Sequence, residues 1–242
     1  AELRDREVEE PPELPVDRAA AGEILRRYEG QDAYLPQTDA FALLAAYGIA
    51  APRVQPISGK DDLETVAADI GFPCVLKVDS AQVIHKSDEG GVVLGISDRA
   101  ALAAAFSDLN QTFAGRGATF IVQEQKPPGS EIIVGATESP GLGHLVMFGL
   151  GGVFVEVMRD VAFALAPLSR PEARSLMREI KGFPILEGVR GEPGADLAAI
   201  EDLLVRVSRM VADHPTITEH DLNPILAPPD GACAVDVRRT VR

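Results

Sequence analysis

The β-rich runs of this chain follow one another mostly through short connections, and that order constrains the fold more than any other feature. CVLKV (74–78) precedes VVLGI (92–96), TFIVQE (119–124) precedes EIIVGA (131–136), and HLVMF (144–148) meets VFVEV (153–157) across GLGG. Two last runs, near Ile217–Ala227 and Ala232–Val241, surround a PPDG turn. Helices are interleaved with these runs, but hairpins outnumber β-α-β crossovers. The reading is therefore α+β, in two lobes with largely antiparallel sheets and no internal repeat.

The helical patterns carry their own punctuation. Thr38 can cap a helix with Phe41, Leu44 and Ala45 on one face, closed by Gly48 and followed by Pro52. A second, from about Asp61, turns Leu63, Val66, Ala67 and Ile70 inward and stops at Gly71 and Pro73. Asp98 begins a third with Leu102, Phe106, Leu109 and Phe113. Ser169 with Glu172 resembles a capping box, and Leu197, Ile200, Leu204, Val207 and Val211 mark a long amphipathic helix. The segment from Ala1 to about Asp32 is charged and proline-bearing, with one short helical pattern near Ala19–Tyr28, and reads as a linker or surface extension. The lobes are then expected at 33–124 and 125–242. The linker composition and a first residue other than Met point to an excised C-terminal piece, although removal of a tag would leave the same trace.

Charge narrows the partners. With 23 Lys and Arg against 37 Asp and Glu, the formal charge of -14 repels phosphate backbones and anionic lipid over most of the surface, so nucleic acid and membrane are not expected partners. A phosphorylated ligand must be held by a few basic side chains, glycine-loop amides or metal ions. Cys74 and Cys233 are too few for a disulfide framework or a metal quartet, and a reducing cytoplasm fits. The opening residues lack the basic-then-apolar order of a signal peptide.

Four features could carry chemistry. Lys77 lies within CVLKV, where its side chain reaches solvent from an exposed strand face or enters a polar cleft as a clamp on nucleotide phosphate. Twelve residues, Ser80 to Gly91, join that strand to the next, more than a tight hairpin requires, and His85 lies among their polar side chains. An exposed imidazole can accept and pass on a phosphoryl group, though a loop His is more often inert. A turn centred on Pro229 and Asp230 would set Asn223 opposite Asp236, either as an ordinary cross-strand pair or as two hard oxygen ligands suited to Mg2+. GLGG (149–152) reads as a hairpin rather than a phosphate loop, because a strand-like run follows it where a nest would need a helix.

Taken together, AYGIAAP, GFPCVLKVDSAQVIHKSDEGGVVLGI, IVQEQKPPGSEIIVGA, VMFGLGGVFVEVMRDVAFALAPLS, LEGVRG and ITEHDLNPILAPPDGACAVDVR resemble the β-subunit type ATP-grasp domain of ADP-forming acyl-CoA synthetases, relatives of succinyl-CoA synthetase. The resemblance spans about Gln37 to Arg238. It implies ATP or ADP held between two lobes, with Lys77 on the phosphates, Val122, Gln123 and Glu124 beside adenine, and Glu131 near the ribose or phosphates. It further implies Asn223 and Asp236 as Mg2+ ligands, and His85 as the loop histidine that carries phosphate to a CoA-binding domain or subunit. No Rossmann-type fingerprint of such a domain is present, so the chain alone is expected to be incompetent for acyl-CoA + ADP + Pi ⇌ acid + CoA + ATP. A homodimer of fused chains or a heterotetramer is the implied assembly. Ser139, Leu142 and His144 depart from the family pattern, which puts any role of that loop in doubt. The preceding DRE and PPELPVD resemble the connector of fused versions. One rival is a catalytically inactive acyl-CoA-sensing domain of a protein lysine acetyltransferase, which retention of His85 disfavours. Another is a carboxylate–amine ligase that works without phosphohistidine.

Overall fold

The structure is a computed structural model and describes residues 9–31, 33–80, 89–152, 159–189, 191 and 193–242. Its helices are α1 (Arg18–Arg26), α2 (Gln37–Ala46), α3 (Leu63–Ile70), α4 (Arg99–Thr112), α5 (Arg170–Glu179), α6 (Phe183–Leu186) and α7 (Leu197–Asp213), with a short 3-10 turn before α3. Its strands are β1 (Ala33–Tyr34), β2 (Val54–Ile57), β3 (Cys74–Asp79), β4 (Val92–Ile96), β5 (Thr119–Glu124), β6 (Ser130–Ser139), β7 (Gly143–Leu150), β8 (Val161–Leu165), β9 (Ile217–Ala227), β10 (Cys233–Ala234) and β11 (Val237–Val241). They form two sheets, a larger one in the order β1-β11-β9-β6-β7-β8 with β10 also on β9, and a smaller one in the order β2-β5-β3-β4. Every pairing among the described residues is antiparallel.

Each sheet has its own core. On the smaller one, Cys74, Leu76, Val78, Phe120 and Val122 share a face and pack against Leu63, Val66, Ala67 and Ile70 of α3 and Leu102, Phe106 and Leu109 of α4. The Asp98 side chain caps α4 by accepting from the Ala101 N–H at 2.9 Å. The larger sheet is covered by α5, which opens with the expected Ser169–Glu172 capping box, and by α7, whose Ile200, Leu204, Val207 and Val211 have no exposed surface.

The N-terminal expectations need correcting. Ala21 and Leu25, one turn apart on α1, are buried in the larger core, and Arg18 reaches Asp213 of α7 at 2.8 Å. The residues around α1 are thus part of the larger lobe rather than a linker; charge density hid a helix held by a narrow apolar stripe. Ala40, Phe41, Leu43 and Leu44 of α2 enter the same core, so the larger lobe combines residues from both ends of the described chain, and the smaller lobe begins near β2. Thr38 does not cap α2, which starts one residue earlier, after Pro36; Ala45 is exposed, and Leu43 is buried in its place. The VFVEV run lies outside the described residues.

One buried cluster has a measurable consequence. Arg239, 1 % exposed, donates from Nε to Nδ1 of the equally buried His220 at 3.1 Å, lies against Met210, and leaves Nη1 without a partner among the described residues. Burial pulls the guanidinium down to about 9. Burial first, and the Arg239 charge second, hold His220 well below the ordinary imidazole value. Unfolded His220 binds a proton below about pH 6.5 and folded His220 does not, so its contribution to stability is intact above that pH and is lost as pH falls, at about 1.4 kcal/mol per pH unit. His220→Gln is expected to remove this slope. The stability gap between wild type and variant from denaturant unfolding should narrow by about 1 kcal/mol between pH 6.5 and 5.5; a pH-independent gap would contradict the assignment.

Candidate functional site

The two sheets meet across the face of β3 that its core does not use. With Cys74, Leu76 and Val78 turned into the smaller core, Val75, Lys77 and Asp79 point toward the larger lobe. Lys77 is 6 % exposed; its Nζ donates to Val235 O at 2.7 Å and lies 3.4 Å from Asp236 Oδ1. Lys77 therefore points between the lobes rather than to solvent from an exposed strand face. Opposite it on β5 stands Ile121, and Gln123 stands opposite Val75 on the same face. Gln123 is 2 % exposed with its Oε1 unpartnered among the described residues.

Val122 can offer adenine only its backbone. Its side chain is fully buried in the smaller core, facing away from Lys77, because strand alternation puts it on the opposite face from Gln123. Glu124, at the strand end, bonds the Arg53 N–H at 3.3 Å and Lys126 at 2.9 Å. Partial burial pushes its carboxyl up, but the Lys126 hydrogen bond, the Arg53 amide and the two charges outweigh it, and its pKa lies below the ordinary value.

In the larger lobe the hairpin register is the one the PPDG turn implied. Cys233 pairs with Leu226, Ala234 with Ile225, and Val237 with Leu222, while the Asn223 N–H donates to Asp236 O at 3.2 Å. Asn223 and Asp236 are therefore neighbours across the ladder, at the break between β10 and β11. Asp221 and Arg238, one pleat away, extend the same face and line a depression of about 170 Å³ with Tyr34, Glu219, Arg239 and Thr240. Burial raises the Asp221 carboxyl to about 6; Arg238 opposes the shift, and Asp236 and Glu219 add to it.

Glu131, exposed at the start of β6, is held by a close approach of GLGG: the Gly151 N–H donates to Glu131 O at 2.7 Å. A Cβ on Gly151 would sit 3.1 Å from the Glu131 backbone, and Gly152 has φ +60°. These glycines serve a tight passage around Glu131. His144 is buried, with Nε2 2.6 Å from Ile217 O, so this departure from the family pattern is a packing residue; Leu142 sits exposed in the β6–β7 turn.

His85 lies outside the described residues, but both ends of its loop are in place. The Asp79 carboxylate accepts the Gln37 N–H at 3.1 Å through each oxygen, capping α2 from the other lobe, and the Val78 N–H donates to Gly91 O at 2.9 Å. Gln37, Asp79 and Asp221 are site residues that sequence reasoning missed. Asp221 was accessible from the period-2 spacing of Glu219, Asp221 and Asn223; Gln37 resembled any polar helix start.

Lys77 is thus a buried cation of the smaller sheet set against an amide–carboxylate pair of the larger one. The chain matches the model of the ATP-grasp domain over residues 26–241 and belongs to that family. Within it, the chain corresponds to the β-subunit part of ADP-forming acetate–CoA ligases. It is 38% identical over 229 residues to acetate–CoA ligase [ADP-forming] I subunit beta of Pyrococcus furiosus, covering 92% of this chain and 99% of that subunit. Against acetate–CoA ligase [ADP-forming] I of Archaeoglobus fulgidus it is 39% identical over 236 residues, 96% of this chain but 34% of the relative, so it spans about a third of that protein. A solved dinucleotide forming acetyl-coenzyme A synthetase 1 of Ca. Korarchaeum cryptofilum, with coenzyme A, Mg-AMPPCP and a phosphohistidine segment pointing towards the nucleotide binding site, superposes with a TM-score of 0.81 at 37% identity, covering 92% of this chain and 100% of that one.

Proposed function

We propose that this chain is the nucleotide-binding part of an ADP-forming acyl-CoA synthetase, passing phosphate between ATP or ADP and a CoA-binding partner through His85. The observation that carries the reading is Lys77, a buried cation from the smaller lobe placed against Asp236 of the larger one, with Asn223 beside it. The amide–carboxylate pair supplies two hard oxygens, and among the described residues no cluster of three or more His, Cys, Asp or Glu competes as a metal centre. Two protein oxygens suit Mg2+, which keeps several waters and takes the rest of its shell from substrate phosphates. When bound, Mg2+ supplies charge neutralisation on the nucleotide phosphates.

The chain's own groups do the remainder. Lys77 neutralises phosphate charge beside Asp236, Gln123 offers a buried amide along the same face, and Glu131, exposed at the start of β6, meets the ribose or phosphates. The His85 ring nitrogen attacks the γ-phosphorus of ATP; the bond to the ADP oxygen breaks as the N–P bond forms, and ADP leaves. The phosphoryl group then passes to the partner, where acyl phosphate and thioester are made, and the balance is acyl-CoA + ADP + Pi ⇌ acid + CoA + ATP. The reading includes a cytoplasmic setting, with Cys74 and Cys233 as free thiols, and assembly as a fused dimer or a heterotetramer. No described helix is long and apolar enough to cross a membrane.

Reconstitution tests it. Mixed with the CoA-binding subunit of a relative, the chain is expected to form ATP from acetyl-CoA, ADP and phosphate, with neither component active alone. Failure of the chain to bind ATP in the presence of Mg2+ would overturn the reading.

A further inference from the structure

The eight residues of β7 and the five of β8 include no Asp, Glu, Lys or Arg, on a chain whose formal charge is -14. One face of these strands is apolar because it enters the larger core, through Val146, Phe148, Leu150 and Ala162. The opposite face is apolar as well. There Leu145 stands across from Leu165, and Met147 across from Phe163. Phe163 is 54 % and Leu165 49 % exposed, with Leu145 and Met147 half-buried beside them. The surface continues onto β6, where Gly135 lies opposite Met147 and a Cβ would sit 3.2 Å from Met147 Cε.

Among the described residues β8 is the last strand on its side of the larger sheet. An edge strand with a bare apolar face is a template for association, and proteins that leave one open to water guard it with charge or proline. β8 carries neither. Phe, Met and Leu without a charged neighbour on the strand are the composition of an interface core.

The occupant follows from where this face leads. The register runs across four strands in two rows, Phe163–Met147–Gly135–Asp221 and Leu165–Leu145–Thr137–Glu219. Three strand spacings of about 4.8 Å set Phe163 roughly 14 Å from Asp221, on the sheet face that Asp221 shares with the Asn223–Asp236 pair. A body resting on β7 and β8 therefore stands beside the point at which a phosphoryl group must leave this chain. The relatives show that such a body exists in their own enzymes: this chain matches 34% of the Archaeoglobus fulgidus protein, which leaves about two thirds of that chain outside the match, and the Pyrococcus furiosus relative is itself one subunit of an assembly.

On the nucleotide reading above, we propose that the outer face of β7 and β8 is the docking surface for the CoA-binding partner, which seats an apolar surface of its own on Phe163 and Leu165. The test is isothermal titration of the purified chain with the CoA-binding subunit of a relative. The double variant Phe163→Thr/Leu165→Thr, which keeps β-favouring side chains, is expected to weaken this binding by about 10–100-fold, the effect of removing interface anchors, while ATP·Mg2+ affinity stays at the wild-type value. Leu165→Lys, a charge of the kind that guards open edges, carries the same expectation should the double variant not fold. Wild-type affinity for the subunit in either folded variant overturns the proposal, as does a wild-type chain that binds ATP but not the subunit. Sedimentation of the chain alone gives a further check: a wild-type dimer that the variants convert to monomer would make a second copy the occupant and overturn the assignment to the CoA-binding partner. Absence of ATP binding by the wild-type protein would instead sink the nucleotide reading on which the proposal rests.

Discussion

Lys77→Ala is expected to weaken ATP·Mg2+ binding by about 100-fold or more, measured by isothermal titration, because truncating one member of a buried, hydrogen-bonded charge pair costs about 2–5 kcal/mol. The residue has two tasks in the cleft. It brings positive charge to the phosphates against a chain whose formal charge is -14, and it holds Val235 O and Asp236 from the other lobe. Its loss leaves Asp236, whose side chain is 15% exposed, without a paired cation among the described residues. Lys77→Arg should recover little of the affinity, since a planar guanidinium replaces a compact ammonium in a space that is 6 % exposed. Near wild-type affinity in Lys77→Ala would mean that the lysine serves lobe contact alone.

Much of the fold was legible because local signals agreed with one another. The buried faces of α3 and α4 and the Ser169–Glu172 box follow from side-chain period and capping chemistry, which act within a few residues. The Asn223–Asp236 pairing was readable for the same reason: a tight turn sets the register of the strands it joins. The lobe boundary was not readable. Whether α1 and α2 lie on the larger or the smaller sheet depends on contacts with residues far away in sequence, such as Arg18 with Asp213 and Leu35 with Arg239.

The candidate site divides along the same line. Lys77 was visible as a charge in an apolar run, and Asn223 and Asp236 as an amide and a carboxylate at matched distances from a turn. Within Val122–Glu124 a strand turns alternate side chains to opposite faces, so Gln123 presents a side chain to the larger lobe and Val122 only its backbone. Gln37 and Asp79 were invisible, since their importance arises only where α2, β3 and the segment before β11 converge. The resemblance to ADP-forming synthetases supplied the roles that spacing alone left open, and the comparisons bear out the family.

The second large effect concerns His85. If phosphate passes through this imidazole, His85→Ala removes the acceptor outright, a nucleophile that is partly unprotonated near neutral pH. ATP binding should survive, because Lys77, Asn223 and Asp236 are untouched. The measurement is incubation of the purified protein, together with a CoA-binding subunit, with γ-labelled ATP and Mg2+, followed by an acid-lability test of label on this chain. The account predicts acid-labile label on the wild-type chain and none on His85→Ala at equal ATP occupancy; equal labelling of the two chains, or no label on a wild-type chain that binds ATP, would contradict it.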